Sequence, residues 1–495
     1  MYYKIKGKVK NLEGGSLHRR VMAFERENFA KIAETYSSST DGSYEMSVAT
    51  NDPVLVMAVP DSGDDANARV YDLVVPRHDQ IVVPTGIGIP GQPGFGVGVA
   101  PVLPIGFTPM EGYDDPYNDN YGNYRVESDG SIMVWIPAFY YKWGTGSNGV
   151  ALNDVSIKDL VDYSDPEAAS LDGYALHRAF IDGGTIKTGV FVDKYGNSKN
   201  PTLNVPSSLK YGNVLHTAAS PAATSMSTLG LPNAYYSCLD ASKLRGAGFF
   251  CMSIFIWSAI AMLSHAHGVA SASTQYCGWW GATHNYPKGN NASGNSTTDA
   301  ASMKFYGTTV SGYTTILSGS AWPVSKSTHN GQACGIAEVC GNVYNVVPGL
   351  NFNGTNFMVL KESFSMKDAT SGTSSATDMW SNTPYDVLAT TLSDFSTSAG
   401  WVYRTSATQV YASDTDRTSV GYKQTCMGIP MPGNVSATNP NYMGGGIYKS
   451  RTNQLCPIAF GNWDGALYAG VGALRLTNSR TNSTDSVGFR SAFYV

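Results

Sequence analysis

The stretch Gly461 to Arg490, GNWDGALYAGVGALRLTNSRTNSTDSVGFR, constrains this chain most, because it follows neither the helical nor the strand period. Trp463, Val471, Leu474, Leu476, Val487 and Phe489 are separated apolar anchors in a run of Gly, Ala, Asn, Ser and Thr. Such spacing predicts short strands that hold long polar loops. From Leu455 to Val495 there is no Lys, Glu, Gln or Met, so any wetted surface there is built from Asn, Ser, Thr, Asp, Tyr and Arg. In binding loops Tyr and Arg anchor a partner while short polar residues adapt to it. On this stretch alone two readings stay open: a polar cap on a β domain, or a face that binds.

Only 14% of the 495 residues are charged, while 53 are Gly, 30 are Tyr and 12% are aromatic. Few charges with many aromatics exclude a disordered or coiled-coil chain and predict a mostly β fold with minor α (α+β). The length predicts two or three domains. A net charge of -5 without a basic cluster argues against nucleic acid, because phosphate binding needs concentrated Lys and Arg; a protein or carbohydrate partner stays open. Seven cysteines are too sparse for a disulfide scaffold, and Cys334 and Cys340, the one close pair, lack a second pair or a His for zinc. The N-terminus carries no apolar signal region. The run Phe249 to Leu263 falls short of the roughly 20 residues that span a bilayer, so no membrane insertion is expected.

Along the chain, residues 2 to 9 alternate, with Tyr3, Ile5 and Val9 opposite three lysines. Further strands are predicted at Val21 to Phe24, Tyr44 to Val48, Val54 to Val59, Val70 to Val75 and Ile81 to Val83, giving a small antiparallel sandwich over 1–83. DGSYEMSV followed by PVLVMAV resembles the transthyretin-like or carboxypeptidase-regulatory sandwich modules of phage tail proteins, which implies a docking role. Residues 84–122 are rich in Gly and Pro and are expected to form a linker. Its apolar residues, among them Ile87, Phe95 and Val97, predict that it lies against another surface or subunit. A second domain, 123–495, opens on a hairpin with its turn at Ser128-Asp129-Gly130, and the pattern predicts one long buried helix, Met252 to His267, closed by Gly268. His265 and His267 lie two apart, so they share no helix face as metal ligands would; they suit a helix C-terminus as cations.

EVCGNVYNVVP, Glu338 to Pro348, taken with the buried helix, the Trp463 region and the closing GFRSA of Gly488 to Ala492, resembles the C-type lectin-like fold. The version resembled is the one shared by formylglycine-generating enzymes and by the variable proteins of diversity-generating retroelements. Tyr344 and Asn345 stand where Trp and Glu are common in that group. The resemblance implies one of two classes of function. The enzymes oxidise a cysteine through a close cysteine pair and typically end in GFRC; this chain ends in GFRS and has only Cys426 and Cys456 after Gly341. No Gly-x-Ser-x-Gly, His-Glu-x-x-His or P-loop pattern supports another chemistry.

The variable proteins instead line a ligand face with residues rewritten by adenine-directed mutagenesis. The resemblance implies that this face holds Phe460, Asp464, Gly465, Leu467, Tyr468, Gly472, Arg475, Thr477 and Asn478. Changing either adenine of AAC or AAT never yields Lys, Glu, Gln, Met or Trp; the first four are absent from Leu455 onward, and Trp463 belongs to the constant frame. Calcium-dependent sugar binding needs clustered oxygens such as Glu-Pro-Asn with Trp-Asn-Asp; neither triplet occurs, so no metal or cofactor is expected. The resemblance thus implies a non-catalytic phage tail-tip or tail-fibre protein of the virion, assembled in the host cytoplasm. Its partners would be a bacterial surface receptor, protein or polysaccharide, and other tail proteins through 1–83, with a homotrimer adding avidity. The alternatives are a bacterial surface ligand binder of the same fold, or a formylglycine-generating-enzyme-like oxidase.

Overall fold

The computed structural model describes residues 3–8, 19–25, 29–48, 54–59, 69–74, 77–78, 86–271, 306–310, 313–372, 376–392, 399–405, 407–431, 433–436, 445–462, 465 and 468–495. The fold is mostly β with minor α. The chain divides into two compact units, Met1–Val83 and Pro84–Val495.

In the first unit the alternating residues form two antiparallel sheets. Tyr3–Lys8 lies between Ser43–Val48 and Arg77–His78, and Arg20–Glu25 pairs with Lys31–Tyr36 and Val54–Val59, the latter joined by Arg69–Val74. Ile5, Met46 and Val48 of one sheet share a buried cluster with Val21, Ala23, Val54 and Val56 of the other. Lys31–Tyr36 was not predicted, because its residues are only half-buried or exposed and show no clean alternation. The strand expected at Ile81 to Val83 lies outside the described residues.

The second unit is built on two larger sheets. The first runs Phe249–Cys251, Ser491–Tyr494, Gly189–Asp193, Ile132–Pro137, Asn123–Val126 and Phe107–Pro109, all neighbours antiparallel. Phe107, Tyr124, Met133, Trp135, Phe191 and Phe249 form a cluster on it. The predicted hairpin turn is present, with Gly130 at φ 73° and Asp129 accepting the Ser131 N–H at 2.8 Å. Beyond Pro137, however, the chain leaves this sheet, and Phe139–Trp143 pairs with Val155–Asp159 and Ala175–Leu176.

The segment expected as a linker is instead packed into the second unit. Ile87, Phe95 and Val97 are fully buried. The Gly91 N–H donates to His267 Nδ1 at 3.0 Å, the Asn330 amide donates to Phe95 O at 3.1 Å, and His329 Nε2 bonds Gly96 O at 3.2 Å. Its apolar residues meet a surface of their own chain, and its glycines let the backbone come close: a Cβ on Gly96, at φ 79°, would lie 2.9 Å from the His329 ring.

The long helix runs Ile254–Ser271, so Gly268 lies within it and does not cap it. Every residue from Ile254 to Gly268 is buried. By length and composition this helix could cross a membrane, but 83% of it is covered inside the fold, as a core helix would be. His265 and His267 do not act as cations at a helix end. Burial pulls both rings down to about 4, and His265 stacks on Trp143 while His267 stacks on Phe95, each at 5.3 Å between ring centres.

A candidate binding face on the seven-stranded sheet

The second large sheet has the order Val435–Ser436, Gly400–Arg404, Ile447–Lys449, Leu474–Arg475, Ile458–Ala459, Tyr344–Val346 and Val487–Gly488. Side chains alternate across a sheet, so its register decides what each face carries. Val402, Ile447, Leu474 and Ala459 stand in one row and are buried. One residue along, Trp401 pairs with Tyr448 and Tyr448 with Arg475, a row that is only half-buried. The same strands therefore present an apolar row to the core and an aromatic–arginine row outward.

Tyr468 completes this outer row from the loop before Leu474. Its ring stacks on Trp401 at 4.2 Å between centres and 21° between planes, and lies 5.9 Å from the nearly parallel ring of Tyr403. Tyr468 is 37% exposed, more open than its aromatic neighbours. Burial, followed by a hydrogen bond to Tyr468, raises the Tyr403 phenol well above its usual range. Trp401 meets Tyr448 edge-on at 5.1 Å, and the Arg475 guanidinium lies 5.6 Å from the centre of the Tyr448 ring. Gly446 makes room for this stack, since a Cβ there would lie 2.8 Å from the Trp401 ring.

Of the nine residues expected on the face, Gly465, Tyr468, Arg475, Thr477 and Asn478 lie at or near the surface. Arg475 Nε donates to Thr477 Oγ1 at 3.0 Å, Thr477 Oγ1 donates to Asn478 Oδ1 at 2.6 Å, and Asn478 Nδ2 donates to the Tyr235 hydroxyl at 2.7 Å. This chain of bonds fixes the Arg475 fork before any partner arrives. Phe460 and Gly472 are instead buried, which removes them from the face. Phe460 sits at φ 70° with the Arg490 guanidinium 5.8 Å from its ring, a part of the support. Asp464 and Leu467, like Trp463, lie outside the described residues. Trp401, Tyr403 and Tyr448 were missed; the alternation in GWVYR, Gly400 to Arg404, was the available signal.

Beneath the face the anchors Val471, Leu474, Leu476 and Phe489 are buried. The core helix is tied to them, with Trp257 Nε1 donating to Val471 O at 2.9 Å. The two sequence motifs also meet: Tyr344–Val346 pairs in parallel with Val487–Gly488, and Arg490 Nε donates to Asn345 Oδ1 at 3.0 Å. Arg490 further donates to Lys194 O at 2.7 Å and Ala337 O at 2.6 Å.

The two thiols of this region do not form a pair. Cys426 and Cys456 are both free and buried. Cys426 lies 3.5 Å from both the Tyr141 hydroxyl and the Arg178 backbone nitrogen, and burial pushes its thiol up to about 11. Cys456 neighbours Cys238 and Cys251 instead, in an environment that also raises thiol pKa. Among the described residues no group of three or more His, Cys, Asp and Glu side chains could hold a metal ion. No protein-family model matches the chain, and no curated protein matches it significantly.

Proposed function

We propose that the chain is a non-catalytic receptor-binding protein of a bacteriophage tail tip or fibre, which meets the bacterial surface through the face carrying Tyr468 and Arg475. The observation that carries this reading is the outward row of Trp401, Tyr448 and Arg475, with Tyr468 stacked over it. Rigid aromatic rings and a preset guanidinium bind with little entropy loss, and Tyr, Trp and Arg dominate binding hot spots. A core that leans on buried Leu474, Leu476 and Phe489 tolerates change at Tyr468, Thr477 and Asn478, as a retroelement-diversified face requires. The resemblance to the retroelement variable proteins supplies the phage setting, the docking role of 1–83 and the trimer. Binding is favoured over thiol oxidation because a reactive cysteine needs a lowered pKa and access, whereas Cys426 is buried and raised.

The test replaces Tyr468, Arg475 and Asn478 together with Ala and measures adsorption to host cells. Loss of adsorption with an unchanged melting temperature is expected. Unchanged adsorption by the folded variant would show that the face is wrongly assigned.

A further inference from the structure

An open groove of about 770 Å³ lies elsewhere in the second unit, and none of the aromatic face residues lines it. Its walls carry three ammonium groups, Lys187, Lys361 and Lys367, with the hydroxyls of Thr185, Ser363 and Thr383 between them. Lys361 Nζ donates to Thr383 O at 2.8 Å. The ammonium groups of Lys187 and Lys367 have no hydrogen-bond or ion-pair partner among the described residues.

Two carboxylates, Asp182 and Asp368, also border the groove. Asp182 accepts from Ser365 Oγ at 2.5 Å and from the Met366 N–H at 2.8 Å, which occupies both of its oxygens. Asp368 interacts with the Lys243 ammonium, outside the groove lining. Three ammonium groups against these two carboxylates leave the lining a net formal charge of +1. Lysines act as compact point charges and do not form the planar fork with which Arg grips a carboxylate, so they suit tetrahedral phosphate groups spaced along a chain. The cavity is far larger than one phosphate needs and falls in the size range of sites that hold an extended small ligand. Three aromatic residues also line it: Phe250 is buried with its ring stacked on that of Tyr494 at 4.9 Å, and Tyr494 and Phe364 are half-buried, so a nucleic-acid strand is the competing ligand that the test must separate.

We propose that this groove is a second binding site, which takes a short phosphodiester-linked polyol chain, its phosphates on Lys187 and Lys367 and its hydroxyls on Ser363 and Thr383. This assignment stands on the groove alone and holds whatever Tyr468 binds. The probe is a synthetic glycerol-phosphate oligomer, titrated calorimetrically into the full chain at low and physiological salt. Binding that weakens with salt is expected, and the double variant Lys187→Gln, Lys367→Gln should weaken it about tenfold with an unchanged melting temperature. Tyr468→Ala should leave it unaltered. No binding by the unaltered chain would overturn the proposal, as would binding indifferent to the double variant. A thymidine oligonucleotide with the same number of phosphodiesters that bound equally well would overturn the ligand class. Should the double variant fail to fold, the single Lys367→Gln, at an exposed position, carries the same comparison with a threefold loss expected.

Discussion

Arg490 reaches across the fold to donate from Nε to Asn345 Oδ1 at 3.0 Å, which joins the closing GFRSA to the CGNVYN motif. Its other donors satisfy the carbonyls of Asp193, Lys194 and Ala337, so one guanidinium closes three separate chain segments. A buried carbonyl left without its donor costs about 1–3 kcal/mol. Arg490→Leu would remove these donors, leaving Lys194 O only the Ala337 N–H at 2.9 Å, and is expected to destabilise the second unit by at least about 3 kcal/mol. Arg490→Lys should recover only part of this, because an ammonium cannot span the same fork. Chemical denaturation of both variants measures it; two curves that overlay the wild type would refute the pinning role.

Gly446 is the position where the face can be disturbed from below without touching Tyr468. A Cβ there would come within 2.8 Å of the Trp401 ring and 3.3 Å of Tyr403. Trp401 lies near the surface and can yield, so Gly446→Ala should cost only about 1–2 kcal/mol of stability. The displaced ring can no longer stack on Tyr468 at 4.2 Å, and adsorption should fall several-fold. A changed tryptophan emission together with lost adsorption is expected. Altered emission with full adsorption would separate the stack from binding.

Period-two alternation located most strands of the first unit, because a residue's face depends on its immediate neighbours, and the buried helix was legible from apolar residues all round it. For residues 84–122 the apolar side chains pointed to packing against a surface, but the linker reading missed which one. Gly and Pro describe a backbone without regular bonds, and what fixes this segment is His267, His329 and Asn330, far away in sequence. The aromatic face was half legible for a similar cause. Tyr468 and Arg475 belong to the terminal stretch, but Trp401 and Tyr448 join them only through strand register. Phe460 was placed on the face by its position between motifs, whereas the left-handed backbone there turns its ring into the core.

The histidines make the second unit sensitive to acid. The His329 ring accepts the Ile336 N–H on Nδ1 at 3.1 Å and faces Gly96 O with Nε2 at 3.2 Å, an arrangement only the neutral Nε2–H tautomer satisfies. Burial pulls this ring down to about 4, as it does His265 and His267, from about 6.5 in an unfolded chain. Between those values the unfolded chain binds more protons than the folded one, so stability rises with pH there. The contribution is complete above about pH 6.5 and is lost as pH falls toward 4, on the order of 3 kcal/mol for each fully shifted ring. Because His267 and His329 hold Gly91 and Gly96, acid should release residues 86–98 first. Hydrogen exchange at pH 7 and pH 5 measures this: protection of the Gly91 and Gly96 amides should drop at pH 5 while that of Val134 and Val192 in the central sheet persists. Imidazole resonances of His265 and His329 that titrated near pH 6.5 in the folded chain would contradict the assignment.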